Sequence, residues 1–302
     1  MRPVSRVRTI TVAFVLLSPV AVAAQGNGHG HAYGLNKNQG LAPSAAGAPV
    51  VTPAGPVAAR HFGSWLDDAT VLPEGKAALS FGFAYWRTPS YREFDVPSVD
   101  GTVGLTRRVQ FGASLPYFRA NEPGGPLAHG VGDVYLSSKI QLRDPSTAEH
   151  PAGFAIAPVV EVLSYPPEPG ASRVSWAVPL NVELQREGWR VYGSTGYFSR
   201  GSVFASGAME LALSDRAWLT GTLSQSHVVN HKDAIDALGL ARTRTDVSGG
   251  LAVALTSAWS VYGSLGRTLS RQDPDSATLV LSGGVSWSLA AWNPRPAGKR
   301  RQ

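Results

Sequence analysis

The chain has 302 residues, no cysteine, 33 glycines and 16% charged residues, which excludes disulfides and thiolate metal sites and fits a chain of many turns and closely packed strands. Its net charge of +6 is unevenly placed: Arg2, Arg6 and Arg8 carry three of it and Arg295, Lys299, Arg300 and Arg301 carry four, so the body stands at −1. A nearly neutral body does not support a nucleic-acid face.

Residues 1–24, MRPVSRVRTITVAFVLLSPVAVAA, have a basic start, an apolar run from Ile10 to Val22 and small residues at Ala21, Ala23 and Ala24. That is the pattern of a cleaved secretory signal. The run is shorter than the about 20 apolar residues of a spanning helix. No cysteine follows it, which excludes a lipoprotein. Residues 25–60, rich in Gly, Ala, Pro and Asn, bury too little apolar surface to offset their ordering entropy and read as a periplasmic linker. His29 and His31 have no third ligand nearby and read as part of that polar stretch. Trp65–Gly75, WLDDATVLPEG, follows neither a helix nor a strand period. It is expected to pack under a barrel mouth where the chain enters, so that linker and entry segment together span 25–74.

From Lys76 a period-2 alternation recurs in twelve segments: 76–87, 96–106, 109–118, 130–142, 153–163, 173–184, 189–198, 202–213, 217–227, 243–255, 258–268 and 277–289. Such alternation predicts β-strands with one apolar and one polar face. In the fourth, Val134, Leu136, Ile140 and Leu142 fall on one face, and Asp133, Tyr135, Lys139 and Gln141 on the other. Short connections at Thr106–Arg108, Gln185–Gly188, Ser214–Arg216 and Thr256–Ala258 alternate with longer ones. Short periplasmic turns and long external loops are the signature of an outer-membrane barrel. Across the four-residue turn after the sixth strand, Leu184 is expected opposite Trp189 and Glu183 opposite Arg190. Tyr85, Tyr117, Trp176, Trp189, Tyr197, Trp259 and Trp287 lie on the apolar face, mostly near strand ends, as in an interfacial girdle. The fold class is therefore an all-β, antiparallel, up-and-down transmembrane β-barrel over 75–289, with a basic periplasmic tail at 290–302.

The polar face is the predicted lumen lining. Lys139, Glu183, Arg190 and Glu210 fall toward its periplasmic end, and Asp133, Glu161 and Asp246 nearer the outside. They form either a mixed-sign conduit or a set of salt bridges that fills a narrow barrel. Asp133 and Lys139 stand roughly 20 Å apart along one strand, so each needs another partner or water. Trp86, Phe118, Tyr135, Phe198 and Phe204 point inward near the external end, where they form a collar for a flat apolar solute or simply pack the upper lumen. Ser226, His227, His231 and Asp233 are the one catalytic candidate cluster, and their order and spacing match no nucleophile signature. Gly249-Gly250 and Gly283-Gly284 are strand glycines rather than phosphate loops, and no cofactor is implied.

Two stretches, GLTRRVQFGASLPYF at Gly104–Phe118 and HGVGDVYLSSKIQL at His129–Leu142, resemble the "MetA-pathway of phenol degradation" family. The matching positions are Gly104, Leu105, Thr106, Arg108, Gly112, Ser114, Pro116 and Tyr117, then Gly130, Gly132, Asp133 and Lys139, with GYFSRG at Gly196–Gly201 similar to a later strand exit. The resemblance covers about 70–289 and implies an exported outer-membrane barrel that passes small solutes, hydrophobic or aromatic ones among them. The linker at 25–60 and the tail after Trp287 depart from it; assembly of such barrels commonly reads a terminal strand that ends in an aromatic residue. The expected partners are thus outer-membrane lipid, the barrel-assembly machinery and a small-molecule solute. The competing reading is a plugged structural or interaction barrel that works through its external loops.

Overall fold

The computed structural model describes residues 66–121, 128–145, 151–163, 173–186, 188–230, 240–270, 273–274 and 276–292. The expected signal segment and linker, with His29 and His31, as well as Trp65, His231, Asp233 and the tail beyond Trp292, lie outside the described residues. Fourteen strand segments follow one another: β1 Lys76–Arg87, β2 Arg92–Gly104, β3 Val109–Asn121, β4 Ala128–Val131, β5 Val134–Arg143, β6 Ala152–Ile156, β7 Val159–Val162, β8 Val174–Arg186, β9 Trp189–Phe198, β10 Ser202–Ser214, β11 Ala217–Val228, β12 Thr243–Ala254, β13 Trp259–Thr268 and β14 Leu279–Ala290. β4 and β5 are two halves of one pass, both paired to β3, and β6 and β7 are two halves of the next, both paired to β5 and β8. The chain therefore makes twelve antiparallel passes, each paired with the next, and β1 pairs with β14 from Lys76↔Ala290 to Arg87↔Leu279 to close the barrel. Closure removes the unpaired edges that an open sheet would expose.

Alternation sets the two faces. Outward apolar residues are open, with Leu265 at 63% and Leu223 at 55%, whereas the inward Ser80, Asn181, Ser260 and Thr268 are at 0%. A soluble sandwich would show the reverse order. Trp259 and Trp287, paired in register, stack at 5.6 Å on the outer face, and Trp176 meets Tyr197 there at 6.1 Å. These pairs are the aromatic ends that the sequence places at the membrane interfaces.

Three local features differ from the sequence reading. The fourth and fifth passes are interrupted, at Gly132–Asp133 and at Ala157–Pro158. Proline supplies no ladder donor. Pro97 sits at a register shift in β2, Pro116 and Pro179 lie in β3 and β8, and the N–H of Gly132 and of Ala157 donate instead to the carbonyls of Pro116 (2.9 Å) and Pro179 (3.0 Å). These proline-linked irregularities lie in five neighbouring passes, and the register also shifts at Gly82/Ala84 in β1 and at Ala212/Ser214 in β10. The second strand begins earlier than expected, at Arg92. The β8–β9 hairpin pairs Arg186 with Trp189, through a turn at Gly188 with φ +74°, so Leu184 faces Val191 and Glu183 faces Tyr192. The expected pairs were two residues out. A shift of two keeps every side chain on its face, which is why the inside–outside assignment survives.

Both chain ends of the barrel lie at the short-turn end, where the N–H of Ala291 donates to the carbonyl of Gly75 at 2.8 Å. The entry segment then goes further than the mouth. Residues 66–72 lie inside the lumen, all of them buried.

Candidate functional site: an occupied lumen

The wall presents polar side chains toward residues 66–72, and these bond the backbone of the inserted segment. Ser194 Oγ accepts from the N–H of Asp67 (2.8 Å) and donates to its carbonyl (3.0 Å). Asn181 Nδ2 donates to the carbonyl of Asp68 (3.0 Å), and Gln141 Nε2 to that of Ala69 (3.1 Å). The N–H of Ala69 and the hydroxyl of Thr70 both donate to Glu183 Oε2, at 3.2 and 2.8 Å. The N–H of Leu72 donates to Gln110 Oε1 at 2.7 Å. An extended peptide buried away from water needs such partners for each of its amides. In this barrel side chains supply them, because the wall's own amides are already used in its ladder.

Charge fixes the same segment. Lys139 Nζ lies 2.8 Å from Asp67 Oδ1 and 2.8 Å from Asp68 Oδ1, and donates to the carbonyl of Thr70 at 2.9 Å. Arg190 binds Glu210 through two bonds of 2.8 Å and lies 3.5 Å from both Asp68 and Glu183. Four carboxylates thus share two cations. Burial pushes the carboxyl of Asp67 up to about 7 and that of Asp68 up to about 6, against the opposing pull of Lys139.

The half of the lumen away from the short turns holds separate clusters. Glu161 accepts from Tyr135 Oη (2.7 Å), from Arg200 Nη2 (2.6 Å) and from Ser175 Oγ. Arg244, on β12, lies 3.6 Å from Asp246 and 4.0 Å from Asp273 of the β13–β14 connection. Asp273 in turn accepts from Ser276 Oγ (2.7 Å) and the N–H of Ala241 (2.8 Å).

The seven charges expected in the lumen all face it, and Lys139, Glu161, Glu183, Arg190, Glu210 and Asp246 are buried, with Asp133 half-buried at the β4–β5 break. Glu183 still reaches Arg190, diagonally rather than directly across. The five aromatics expected as a collar divide. Tyr135 and Phe204 pack together with Val159, Trp86 packs with Ala84, Ala277 and Val280, and Phe118 and Phe198 are half-buried. Ser226 faces the lumen, while the adjacent His227 is on the opposite face and bonds Thr243 Oγ1 at 2.7 Å. Among the described residues no group of three His, Cys, Asp or Glu side chains is placed to hold a metal.

The pairing of Lys139 with Asp67 and Asp68 spans about seventy residues of sequence, and no period could reveal it. The adjacent carboxylates in WLDDATVLPEG were the available signal: two neighbouring anions ahead of the run ATVLP, opposite a barrel with inward cations.

Two solved structures share this architecture. An outer membrane channel from Pseudomonas putida F1 aligns with a TM-score of 0.53 at 14% identity, over 72% of this chain and 97% of its own. The NanC porin aligns with a TM-score of 0.51 at 10% identity, over 70% of this chain and all of its own. No family model and no curated protein matches the chain. The chain has the fold of a twelve-pass outer-membrane β-barrel.

Proposed function

We propose that the protein is an outer-membrane channel for small solutes whose lumen is closed by residues 66–72. The observation that carries this reading is how the segment is held. Seven of its backbone groups bond to side chains of the wall and none joins the barrel ladder. A segment bound this way exchanges its partners for water when it leaves, whereas a wall strand cannot leave without unfolding the barrel. The fold shared with a structure described as a channel and with a porin supports the reading. So does the resemblance of Gly104–Phe118 and His129–Leu142 to the MetA-pathway family, from which solutes of hydrophobic or aromatic character are inferred. Export by a cleaved signal, insertion by the barrel-assembly machinery and contact with outer-membrane lipid belong to the same proposal.

The test is conductance and solute flux through the purified full chain in planar bilayers and liposomes. The comparison is a variant in which 66–72 is replaced by a Gly/Ser stretch of equal length. The expected result is low conductance in the native chain and a several-fold increase in the variant. No flux in either would favour the other reading, a filled structural barrel, which the buried lumen side chains by themselves also fit.

A further inference from the structure

The lumen is strongly acidic. Among the described residues its buried charges comprise the carboxylates of Asp67, Asp68, Glu183 and Glu210 below, and of Glu93, Asp95, Asp100, Glu161, Asp246 and Asp273 above, against Lys139, Arg190 and Arg244. In the upper half Glu161 has Arg200, and Asp246 and Asp273 have Arg244. β2 turns Glu93, Asp95, Ser98 and Asp100 inward in succession, and Asp133 at the β4–β5 break adds a further negative charge beside Asp95.

Asp95 stands apart within this group. It is 1% exposed, and neither carboxylate oxygen has a hydrogen-bond partner. A buried carboxylate ordinarily has a cation or several donors. Its lateral neighbours in the sheet are Ala84 on β1 and Phe118 on β3, and Trp86 lies across from the adjacent inward Glu93. The wall here combines an unsatisfied acceptor, further acids and two inward aromatic rings. This arrangement answers a cation carried on an apolar body, since ammonium donates to carboxylate and aromatic faces attract cations. A bare metal ion is not the match, because no three acidic side chains converge at ligating distance among the described residues.

We infer that Asp95 is the centre of an upper-lumen binding site for small organic ammonium ions with an apolar or aromatic body. Phe118 and Trp86 form its apolar side, and Glu93 and Asp133 reinforce its negative potential. The inference deepens the channel reading by naming a solute class, and it rests on that reading only for what happens to the ligand after it binds.

Binding is therefore measured without transport. The full chain in detergent is titrated by calorimetry with phenethylammonium, and separately with its uncharged analogue 2-phenylethanol and with calcium. The expected result is saturable binding of phenethylammonium, at least tenfold tighter than 2-phenylethanol, and at least tenfold weakened in Asp95→Asn. The comparison of the two probes in the native chain needs no variant, so it stands if Asp95→Asn does not assemble. Equal binding of the charged and uncharged probes, no saturable binding, or binding unchanged by Asp95→Asn overturns the site. Asp95-dependent calcium binding that displaces phenethylammonium also overturns it, in favour of a metal site. Binding in detergent with no permeation in liposomes by either the native chain or the Gly/Ser variant of 66–72 would sustain the site and refute the channel.

Discussion

Lys139→Ala removes the cation that holds both carboxylates of the inserted segment. The native ammonium makes two bonds of 2.8 Å to Asp67 and Asp68 and a third of 2.9 Å to the carbonyl of Thr70. All three side chains are almost fully buried, so solvent does not take over the lost contacts in place. Removing one partner of a buried ion pair costs about 3–5 kcal/mol, because the remaining charge is stranded. The barrel wall keeps its ladder at this position, Gln110↔Lys139, since backbone atoms make it. The cost therefore falls on docking of 66–72, and 3–5 kcal/mol corresponds to roughly 150- to 5,000-fold in the docked-to-free ratio. The native chain has no cysteine, so a single Val71→Cys, at a position 7% exposed, reports undocking by its rate of reaction with a maleimide. In Lys139→Ala that rate should rise at least a hundredfold and bilayer conductance should rise with it, while heat-modifiable migration on gels stays that of a folded barrel. Unchanged labelling and conductance in a folded Lys139→Ala barrel would refute the view that this ion pair closes the lumen.

Three further outcomes follow from the same cluster. The carboxyls of Asp67 and Asp68 are raised to about 7 and about 6 when docked, chiefly by burial, from an ordinary value of 3.8. A carboxyl raised on docking takes up a proton as it docks, so docking strengthens as pH falls through about 7 and then about 6, and is weakest above 7. Conductance recorded between pH 8 and pH 5 should accordingly decrease toward the acid side, and an increase would contradict the assignment. A methyl group on Gly104 would lie 2.3 Å from the carbonyl oxygen of Pro73 and 2.4 Å from that of Leu72, both backbone atoms. Gly104→Ala should therefore displace the segment where it enters the lumen and raise Val71→Cys labelling even with Lys139 intact. Glu210→Gln weakens a two-bond pair with Arg190, which retains Asp68 and Glu183 at 3.5 Å. A loss of about 1.5–3 kcal/mol in urea unfolding is expected, the worth of charged hydrogen bonds when other partners remain.

The barrel was legible because lipid and lumen impose opposite demands on successive residues. Strands β1 and β9 begin and end where the alternation does, at Lys76–Arg87 and Trp189–Phe198. Errors arose where a different force acts. Interruption of the fourth and fifth passes comes from Gly132 and Pro158, which alter the ladder without altering the polarity of neighbouring residues. The β8–β9 register depends on how tightly Gly188 lets the chain turn, and a two-residue error leaves the pattern unchanged. The inserted segment lacks a period because it belongs to no sheet. Its amides are satisfied by Gln110, Gln141, Asn181, Glu183 and Ser194, residues that looked like ordinary lumen lining.

Asp133 and Lys139 belong to one pass and meet opposite electrostatic surroundings, and the contrast explains why the acidic inserted segment docks beside Lys139. Lys139 is outnumbered at the short-turn end, with Asp67, Asp68, Glu183 and Glu210 sharing it and Arg190. Two of those four acids arrive on the inserted segment, so docking adds negative charge to a site whose wall already pairs Arg190 with Glu183 and Glu210. Lys139 is the wall charge left to receive them, and withdrawal of the segment would leave it facing water. Asp133, at the other end, stands beside the unpartnered Asp95 on a wall rich in acid. Any cation that entered from outside would first meet these acids, and then the pairs formed by Lys139. A solute that carries positive charge is attracted by the first group and repelled by the then unpaired Lys139 once the segment has gone, so a residue that closes the barrel would hold a cationic solute in its upper half.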